Sequence, residues 1–173
     1  MKISLAIPND IDELVSLINS AYRGDASRVG WTTEADLLDG DLRTDAENLR
    51  NTLGQEGSMM LKHVSDDNNI TGCVFLKVQE RGLYQGMLSV SPVLQDAGIG
   101  KKLMTAAESI AREKGCASVF MNVISLRKEL IAWYERRGYT LTGETKPLPA
   151  DQRFGKPTQP LEFAIMEKMV LPE

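Results

Sequence analysis

The sequence predicts a mixed α/β fold, in which a central β-sheet begins as an antiparallel meander, continues as a parallel strand–helix–strand unit and is flanked by helices. Three observations support this prediction. Strand-like apolar runs fill much of residues 58–90. A helical period of apolar residues begins at Ile99, directly after a turn with two glycines. The next apolar run, "SVFMNVI", is nearly unbroken, which is typical of a strand covered on both faces.

The first half of the chain carries two helix patterns followed by three strand patterns. Asp10 and Glu13 form a capping-box pattern before a helical run that continues to Tyr22. Thr44 and Glu47 form a similar pattern before a second helix. Turn residues separate three expected strands, over residues 58–64, 70–80 and 83–90.

The second half alternates helices and strands. The helix that begins at Ile99 should end at Gly115, and the "SVFMNVI" strand follows. A further helix, "RKELIAWYERRGY", should stop at Gly138. Residues 143–160 hold four of the seven prolines and are expected to form a long loop. The last strand is expected over residues 161–170, "LEFAIMEKMV".

Length and composition indicate an ordinary globular protein. The 173 residues are enough to bury a core, and no repeat or linker divides them, so we expect one domain over residues 1–173. A net charge of −4 argues against non-specific nucleic-acid binding. No apolar run is long enough for a signal peptide core or a membrane span, so we expect a cytoplasmic protein without a membrane partner. Cys73 and Cys116 match no metal-ligand spacing, and we expect two buried free thiols and no metal site.

The stretch "SVSPVLQDAGIGKKL" predicts an anion site. Gly98 and Gly100 allow close approach to the backbone, and the helix that starts there exposes unpaired N–H groups. A phosphate-binding P-loop is excluded, because Gln95 stands at its first glycine and Lys102 at its Ser or Thr. A dinucleotide fingerprint is excluded because Leu103 replaces its third glycine. The motif by itself leaves a plain tight turn as the alternative.

The pattern Gln95-x-x-Gly98-x-Gly100 after "LSV-SP", followed by "WYERRGY", resembles the acetyl-CoA-binding core of the GNAT acyltransferase superfamily. The resemblance covers nearly the whole chain. It implies that the turn wraps the pyrophosphate of acetyl-CoA and that the preceding strand offers its backbone to the pantetheine arm. The implied cofactor-binding residues are Leu88, Val90, Gln95, Asp96, Ala97, Gly98, Ile99, Gly100, Lys101, Asn122, Arg127 and Tyr134.

The resemblance also implies catalytic roles. Tyr134 would donate a proton to the departing thiolate, and the alternative for this residue is a core aromatic. The N–H near Val90 would stabilise charge on the thioester oxygen. Asn122 could instead be structural, and Arg127 could instead be a solvated charge. The strand over 83–90 lacks a carboxylate base, so Tyr84, an ordered-water path or an acid from elsewhere in the chain could serve.

The single histidine, His63, lies on an early strand. We expect it to be a structural residue with satisfied hydrogen bonds. A Ser-His-Asp hydrolase is therefore improbable.

In this superfamily the segment between the first two helices covers the acceptor site. Here it holds Trp31, Glu34 and Asp36, and an indole beside carboxylates suits a cationic amine. The alternative is that these acids cap helices. Phe154, in the proline-rich loop, and Tyr84 are further expected substrate contacts.

These observations predict an acetyl-CoA-dependent N-acetyltransferase that acts on the primary amine of a small molecule by direct attack on the thioester. Two alternatives remain open at this point. The acceptor could be a protein or peptide, or the chain could bind acetyl-CoA as a sensor without turnover. Dimerisation through the last strand or the long loop is common in the superfamily, and the sequence leaves a homodimer open.

Overall fold

The computed structural model describes residues 2–149 and 151–171. Residues 1, 150, 172 and 173 of the expected single domain lie outside the described part. The α-helices are α1 (Ile11–Tyr22), α2 (Gly24–Ser27), α3 (Ala46–Leu53), α4 (Ile99–Glu113) and α5 (Lys128–Glu135). The strands are β1 (Lys2–Leu5), β2 (Leu38–Asp39), β3 (Ser58–Val64), β4 (Ile70–Val78), β5 (Leu83–Val90), β6 (Ser118–Ile124), β7 (Thr140–Pro147), β8 (Lys156–Pro157) and β9 (Glu162–Met169).

A seven-stranded sheet organises the fold, with strand order β1-β3-β4-β5-β6-β9-β7. The meander β3-β4-β5 is antiparallel, and β5 pairs in parallel with β6 after the crossover through α4. The final strand β9 inserts between β6 and β7 and is antiparallel to both. The predicted mixed α/β class, with a meander followed by a parallel unit, is confirmed.

The sheet opens between its two central strands. β5 and β6 pair only through Leu83 with Val119 and Tyr84 with Phe120. β6 instead pairs with β9 at every one of its seven residues. The register of β5 against β4 shifts, and Met87 in that stretch has a positive φ of 51°. The C-terminal half of β5 therefore presents an unpaired backbone edge to a gap in the sheet.

Helix α4 packs on one face of the sheet. Its apolar stripe includes Leu103 and Met104, which are buried in the main core. Gly72 of β4 makes this approach close, because a Cβ there would lie 2.7 Å from Ile99 Cγ2. Helices α1 and α3 cover a second cluster on the sheet. The close packing of α4 on the sheet, at Ile99 and Gly72, places the start of this helix at the gap.

Several local predictions need correction. Strand β1 was not expected, and β7 occupies residues that were expected to begin a loop. β7 is exposed along its whole length, so it lacks the apolar alternation that predicts a strand, and it forms through pairing with β9. A two-stranded ribbon, β2 with β8, also lies outside the prediction because two residues per strand carry no period.

The residues that cap the helices also differ from those predicted. Asp10 accepts from the Ile7 N–H at 2.8 Å, one turn earlier than expected. Glu13 accepts instead from the Ile70 N–H at 2.7 Å. Asp45, the residue after Thr44, caps α3 by accepting from the Asn48 N–H.

The expectations for His63, Cys73 and Cys116 are confirmed. His63 is buried, with Nδ1 2.8 Å from the Thr71 hydroxyl, so it is a structural histidine. Cys73 and Cys116 are buried free thiols. Within the described ranges, no helix is both long and apolar enough to cross a bilayer.

Candidate active site

A first cavity of about 580 Å³ lies where the gap in the sheet meets the starts of α4 and α5. We call it the glycine-turn cavity. Its wall includes Val90, Gly98, Gly100, Lys101, Trp133 and Arg137.

The backbone of the turn presents unpaired N–H donors. Gly98 has φ 78°, and a Cβ there would meet nothing within 4 Å, so the turn faces open space. Ala97 donates to the Leu94 carbonyl, and the N–H of Lys102 begins the helical ladder at the Gly98 carbonyl. Across the described part of the chain, the N–H groups of residues 98–101 have no protein acceptor. Four such donors at a helix start suit a phosphate.

Cationic and aromatic side chains surround this turn. Lys101, Arg136 and Arg137 line the cavity. The Arg137 guanidinium lies 3.6 Å from the centre of the Trp133 ring. Trp31, which was expected at the acceptor, instead packs 6.1 Å from Trp133 and lines this cavity. The positive charge of the wall complements the anion site of the turn.

The free edge of β5 supplies a further donor. Ser91 donates to the Thr71 carbonyl on the β4 side. Because strand groups alternate, the N–H and C=O of Val90 point to the opposite side, toward the gap. The Val90 carbonyl there accepts from Gln95 Nε2 at 3.2 Å. The Val90 N–H is thus directed at the space where the two central strands separate.

Two residues of the turn do not face the cavity as expected. Ile99 is buried in the core, and Ala97 is exposed outside the cavity wall. Gln95 lies in the wall, and its amide is bonded to the 31–32 segment, since its Oε1 accepts from the Trp31 N–H at 2.8 Å and its Nε2 donates to Thr32. Asp96 and Leu88 do lie in the wall.

A second cavity, of about 420 Å³, lies on the other side of the gap. We call it the arginine cavity, after Arg23, Arg43, Arg127 and Arg153 in its wall. Tyr84, Gln85 and Asn122 form its strand floor, and residues of the 148–157 segment, including Phe154, cover it. Tyr84 and Phe154, the expected substrate contacts, both line this second cavity. Asn122 was expected at the cofactor and lies at this second cavity instead.

The floor contains unsatisfied polar atoms. Gln85 Oε1 and Asn122 Oδ1 are buried and have no hydrogen-bond partner among the described residues. Buried polar groups are normally paired. A ligand in the arginine cavity can donate hydrogen bonds to these two amide oxygens. If the ligand atom is an acceptor, the amide must first rotate to present its NH₂ group.

Glu34 is compensated by two arginines. Its Oε1 pairs with Arg23 and its Oε2 with Arg127 Nη1 at 3.0 Å. Arg127 also donates to the Thr32 carbonyl at 2.7 Å, and Arg23 to the Phe154 carbonyl at 3.0 Å. The expected contact of Arg127 with a cofactor phosphate is therefore corrected, because its guanidinium is directed at Glu34.

The expected acceptor carboxylates do not form a cation site. Both oxygens of Glu34 are occupied by guanidinium groups. Asp36 lies on the surface, outside both cavities, and pairs with Arg28 at 2.8 Å. Glu34 and Asp36 are neighbours in the sequence, but the tertiary structure determines which arginines pair with each of them.

The two cavities meet at a short boundary formed by Tyr22, Leu88, Leu130 and Tyr134. Tyr22 donates its hydroxyl to the Leu88 carbonyl. The Tyr134 hydroxyl has no hydrogen-bond partner within residues 2–149 and 151–171. Tyr134 is thus the residue at this boundary whose O–H is free to donate.

Burial controls the ionisation of the tyrosines here. Burial raises the pKa of Tyr22 to about 12, with the Glu34 charge adding to the effect. Burial likewise raises the pKa of Tyr134 far above its usual range, and it raises the pKa of Tyr84. The three hydroxyls therefore remain protonated at neutral pH.

Several wall residues were missed from the sequence. The sequence indicates Tyr22 only as part of a helix face, and Arg43 lies in a polar segment without a motif. Trp133 and Arg137 lie within the "WYERRGY" stretch, and that stretch was the signal that could have identified them. Arg23 and Arg43 carry no such signal, because their relevance depends on which strands they face.

The chain belongs to the Acetyltransferase (GNAT) family, whose profile matches residues 12–139. Acetyltransferase Atu2258 of Agrobacterium fabrum is 32% identical over 88 residues, which are 51% of this chain and 63% of that relative. The alignment thus spans less than two thirds of that relative's length.

Solved structures share the fold at low identity. The ribosomal-protein-S18-alanine N-acetyltransferase from Escherichia coli has a TM-score of 0.72 at 13% identity, covering 99% of this chain and 95% of that one. A protein of Bacillus anthracis described as a streptothricin acetyltransferase, in complex with acetyl coenzyme A, has a TM-score of 0.58 at 16% identity, covering 69% and 66%. Their named substrates are a protein and a small molecule.

Proposed function

We propose that this protein is an acetyl-CoA-dependent N-acetyltransferase that acts, as a single cytoplasmic domain, on the primary amine of a small molecule. The observation that carries the proposal is the meeting of two cavities at Tyr134. One cavity has an anion-binding turn at its end, and the other is a separate space bordered by polar groups. A transferase with two substrates needs such a pair of sites joined at one reactive point.

The glycine-turn cavity fits acetyl-CoA. The free N–H groups of residues 98–101, with Lys101 and Arg137 nearby, would hold its phosphates. The unpaired edge of β5 would bind its extended arm, which leaves the Val90 N–H for the thioester oxygen. Bound there, acetyl-CoA supplies an activated acetyl thioester.

The chain's own groups perform the remaining tasks. The Val90 N–H donates to a carbonyl oxygen at the gap and so stabilises negative charge that develops there. Tyr134 carries its proton at neutral pH, as a tyrosine ordinarily does, and donates that proton where a thiolate departs. Tyr22 holds the Leu88 carbonyl, which keeps the free edge of β5 in place.

The amine attacks in its neutral form. Within the described wall of the arginine cavity, Glu34 and Asp151 are each bonded to an arginine, so no free carboxylate serves as base. The acceptor amine therefore loses its proton to water, and the rate should rise with pH through the pKa of that amine.

The cover over the arginine cavity favours a small acceptor over a peptide. The β2–β8 ribbon and the Arg23–Phe154 hydrogen bond fasten the covering segment to the rest of the fold. A peptide acceptor would need an open groove at this place.

The test is thiol release from acetyl-CoA in the presence of a panel of amines, with wild type and two matched variants. Tyr134→Phe should lower kcat and kcat/KM together by about a hundredfold, because it removes a donor used in the transition state. Tyr139→Phe is the control, since Tyr139 is a buried tyrosine outside both cavities that contacts Glu108. It should retain kcat within about twofold.

Coenzyme A binding is measured in parallel by thermal shift. A folded Tyr134→Phe protein that binds coenzyme A and keeps its kcat would exclude Tyr134 as the acid. Binding of coenzyme A without thiol release for any amine would replace the proposal with the sensor alternative.

A further inference from the structure

The arginine cavity is positively charged although the chain is acidic. The described wall contains four arginines and two acidic residues, which is two positive charges in excess. The chain as a whole carries a net charge of −4. The net charge of the cavity wall is therefore opposite in sign to that of the whole chain. Salt screens buried and partly buried charges less than exposed ones, so this positive charge acts on a ligand in the cavity.

Ion pairs account for only part of this charge. Asp151 pairs with Arg153 at 3.1 Å, and this pair is neutral and exposed. Arg23 and Arg127 share the single charge of Glu34, which leaves that buried group with one positive charge. Across the described chain, no carboxylate pairs with the Arg43 side chain.

The buried group has further unused bonding capacity. Arg23 is 5% exposed, and its Nε is buried without a hydrogen-bond partner in residues 2–149 and 151–171. Arg43 is half-buried, and its backbone N–H is held by Asn19 Oδ1 at 2.6 Å, which fixes where its side chain starts. Its side chain lines the arginine cavity, and its positive charge partly offsets the rise that burial produces in the pKa of Tyr22 and of Tyr84.

We propose that the acceptor is a small primary amine that also carries a carboxylate or similar oxyanion, and that Arg43 binds this anion. The inference rests on the proposed function, because it assigns the arginine cavity to the acceptor. Guanidinium groups bind carboxylates through paired, charge-assisted hydrogen bonds, which satisfies an unpaired arginine.

The same charge selects against other acceptors. A diamine or polyamine would place uncompensated ammonium groups beside two excess positive charges, which disfavours its entry. The cationic acceptor predicted from Glu34 and Asp36 is therefore replaced by an amino-acid-like one. The carboxylate would meet the arginines while its amine reaches the Tyr134 boundary.

The experiment compares matched probe pairs that differ only in charge. L-alanine, β-alanine and 4-aminobutanoate, each with its carboxamide, are assayed for thiol release from acetyl-CoA at equal ionic strength. In at least one pair the acid should show a kcat/KM about tenfold or more above that of its amide. The amide has the lower amine pKa and more neutral amine, so amine ionisation cannot produce this preference.

The variant Arg43→Gln should raise KM for the preferred acid about tenfold and bring the ratio of kcat/KM for the acid to that for its amide close to one. Arg28→Gln is the control, because it changes the net charge equally on a surface arginine outside both cavities. It should preserve the preference for the acid.

A binding measurement separates this inference from the proposed function. The same acids and amides are tested for thermal stabilisation of the wild type and of Arg43→Gln without acetyl-CoA. Arg43-dependent stabilisation by acids alone, with no thiol release, would support the anion site and reject the transferase. Equal use of acids and amides in turnover would overturn the anion site and leave the transferase standing. Equal stabilisation by acids and amides, with no turnover, would overturn both.

Discussion

At the scale of single residues, the proposed site depends on two positions, Tyr134 and Gly98. Tyr134 is buried at the boundary of two cavities, its hydroxyl has no hydrogen-bond partner among the described residues, and burial raises its pKa. Gly98 has a positive φ and opens the turn to a ligand. In the proposed site Tyr134 acts through its hydroxyl, whereas Gly98 leaves room for a ligand because it has no side chain.

The role of Gly98 in binding can be separated from the backbone strain that any substitution there introduces. Gly98→Leu should lose most of the thermal shift produced by coenzyme A, because a side chain would obstruct the free N–H groups of the turn. Gly115→Leu is a matched control, since Gly115 has φ 75°, also faces open space and lies at the far end of α4. Both variants should lose about 1–3 kcal/mol of stability through backbone strain.

The measurement is the melting temperature of each protein over a coenzyme A titration. Gly115→Leu should keep the wild-type shift, which is equivalent to about 2.7 kcal/mol at a hundred times Kd. Equal shifts for both variants would remove the turn from the binding site.

At the scale of elements, the buried ion pairs of Glu34 with Arg23 and Arg127 connect segments that lie far apart in the chain. Glu34 joins the end of α1, through Arg23, to the residue before α5, Arg127. Arg23 extends this group to the segment that carries Phe154. The group fixes the cover of the arginine cavity and leaves positive charge in its wall.

Two isosteric substitutions in the same segment should therefore differ. Glu34→Gln leaves two buried arginines without their counter-charge and should lower the free energy of unfolding by about 3 kcal/mol. Asp36→Asn breaks an exposed pair with Arg28 and should cost less than about 1 kcal/mol. Urea unfolding of both variants measures this difference, and equal losses would show that the Glu34 pairs do not stabilise the fold.

At the scale of the whole molecule, all four tyrosines have pKa values raised by burial: Tyr22, Tyr84, Tyr134 and Tyr139. A raised native pKa gives stability that is complete below the unfolded pKa of about 10 and is lost as the pH rises above it. Each such tyrosine contributes a slope of up to about 1.4 kcal/mol per pH unit.

Alkaline unfolding should therefore be cooperative. Above about pH 10 the ultraviolet absorbance of tyrosinate should rise together with the loss of far-UV circular dichroism, because the tyrosines ionise as the chain unfolds. Tyr139→Phe should make the fall in unfolding free energy with pH shallower. Independent titration of the tyrosines near pH 10 with unchanged circular dichroism would contradict this prediction.

The sequence by itself determined the order of the central elements, the glycine turn and the family. These features depend on local properties, since apolar period, glycine at a helix start and the "WYERRGY" stretch all act within a few residues. Strand β7 escaped prediction because its residues are exposed and its hydrogen bonds come from β9, which follows it in the chain.

Only the tertiary structure decided the polarity of the second cavity. Glu34 and Asp36 look equivalent in the sequence, yet one is buried between Arg23 and Arg127 and the other pairs on the surface with Arg28. A charge in a cavity is the sum of groups that the fold brings together, and burial strengthens their interaction. Spacing along the chain cannot reveal that sum, because Arg127 lies 93 residues from the carboxylate that it neutralises.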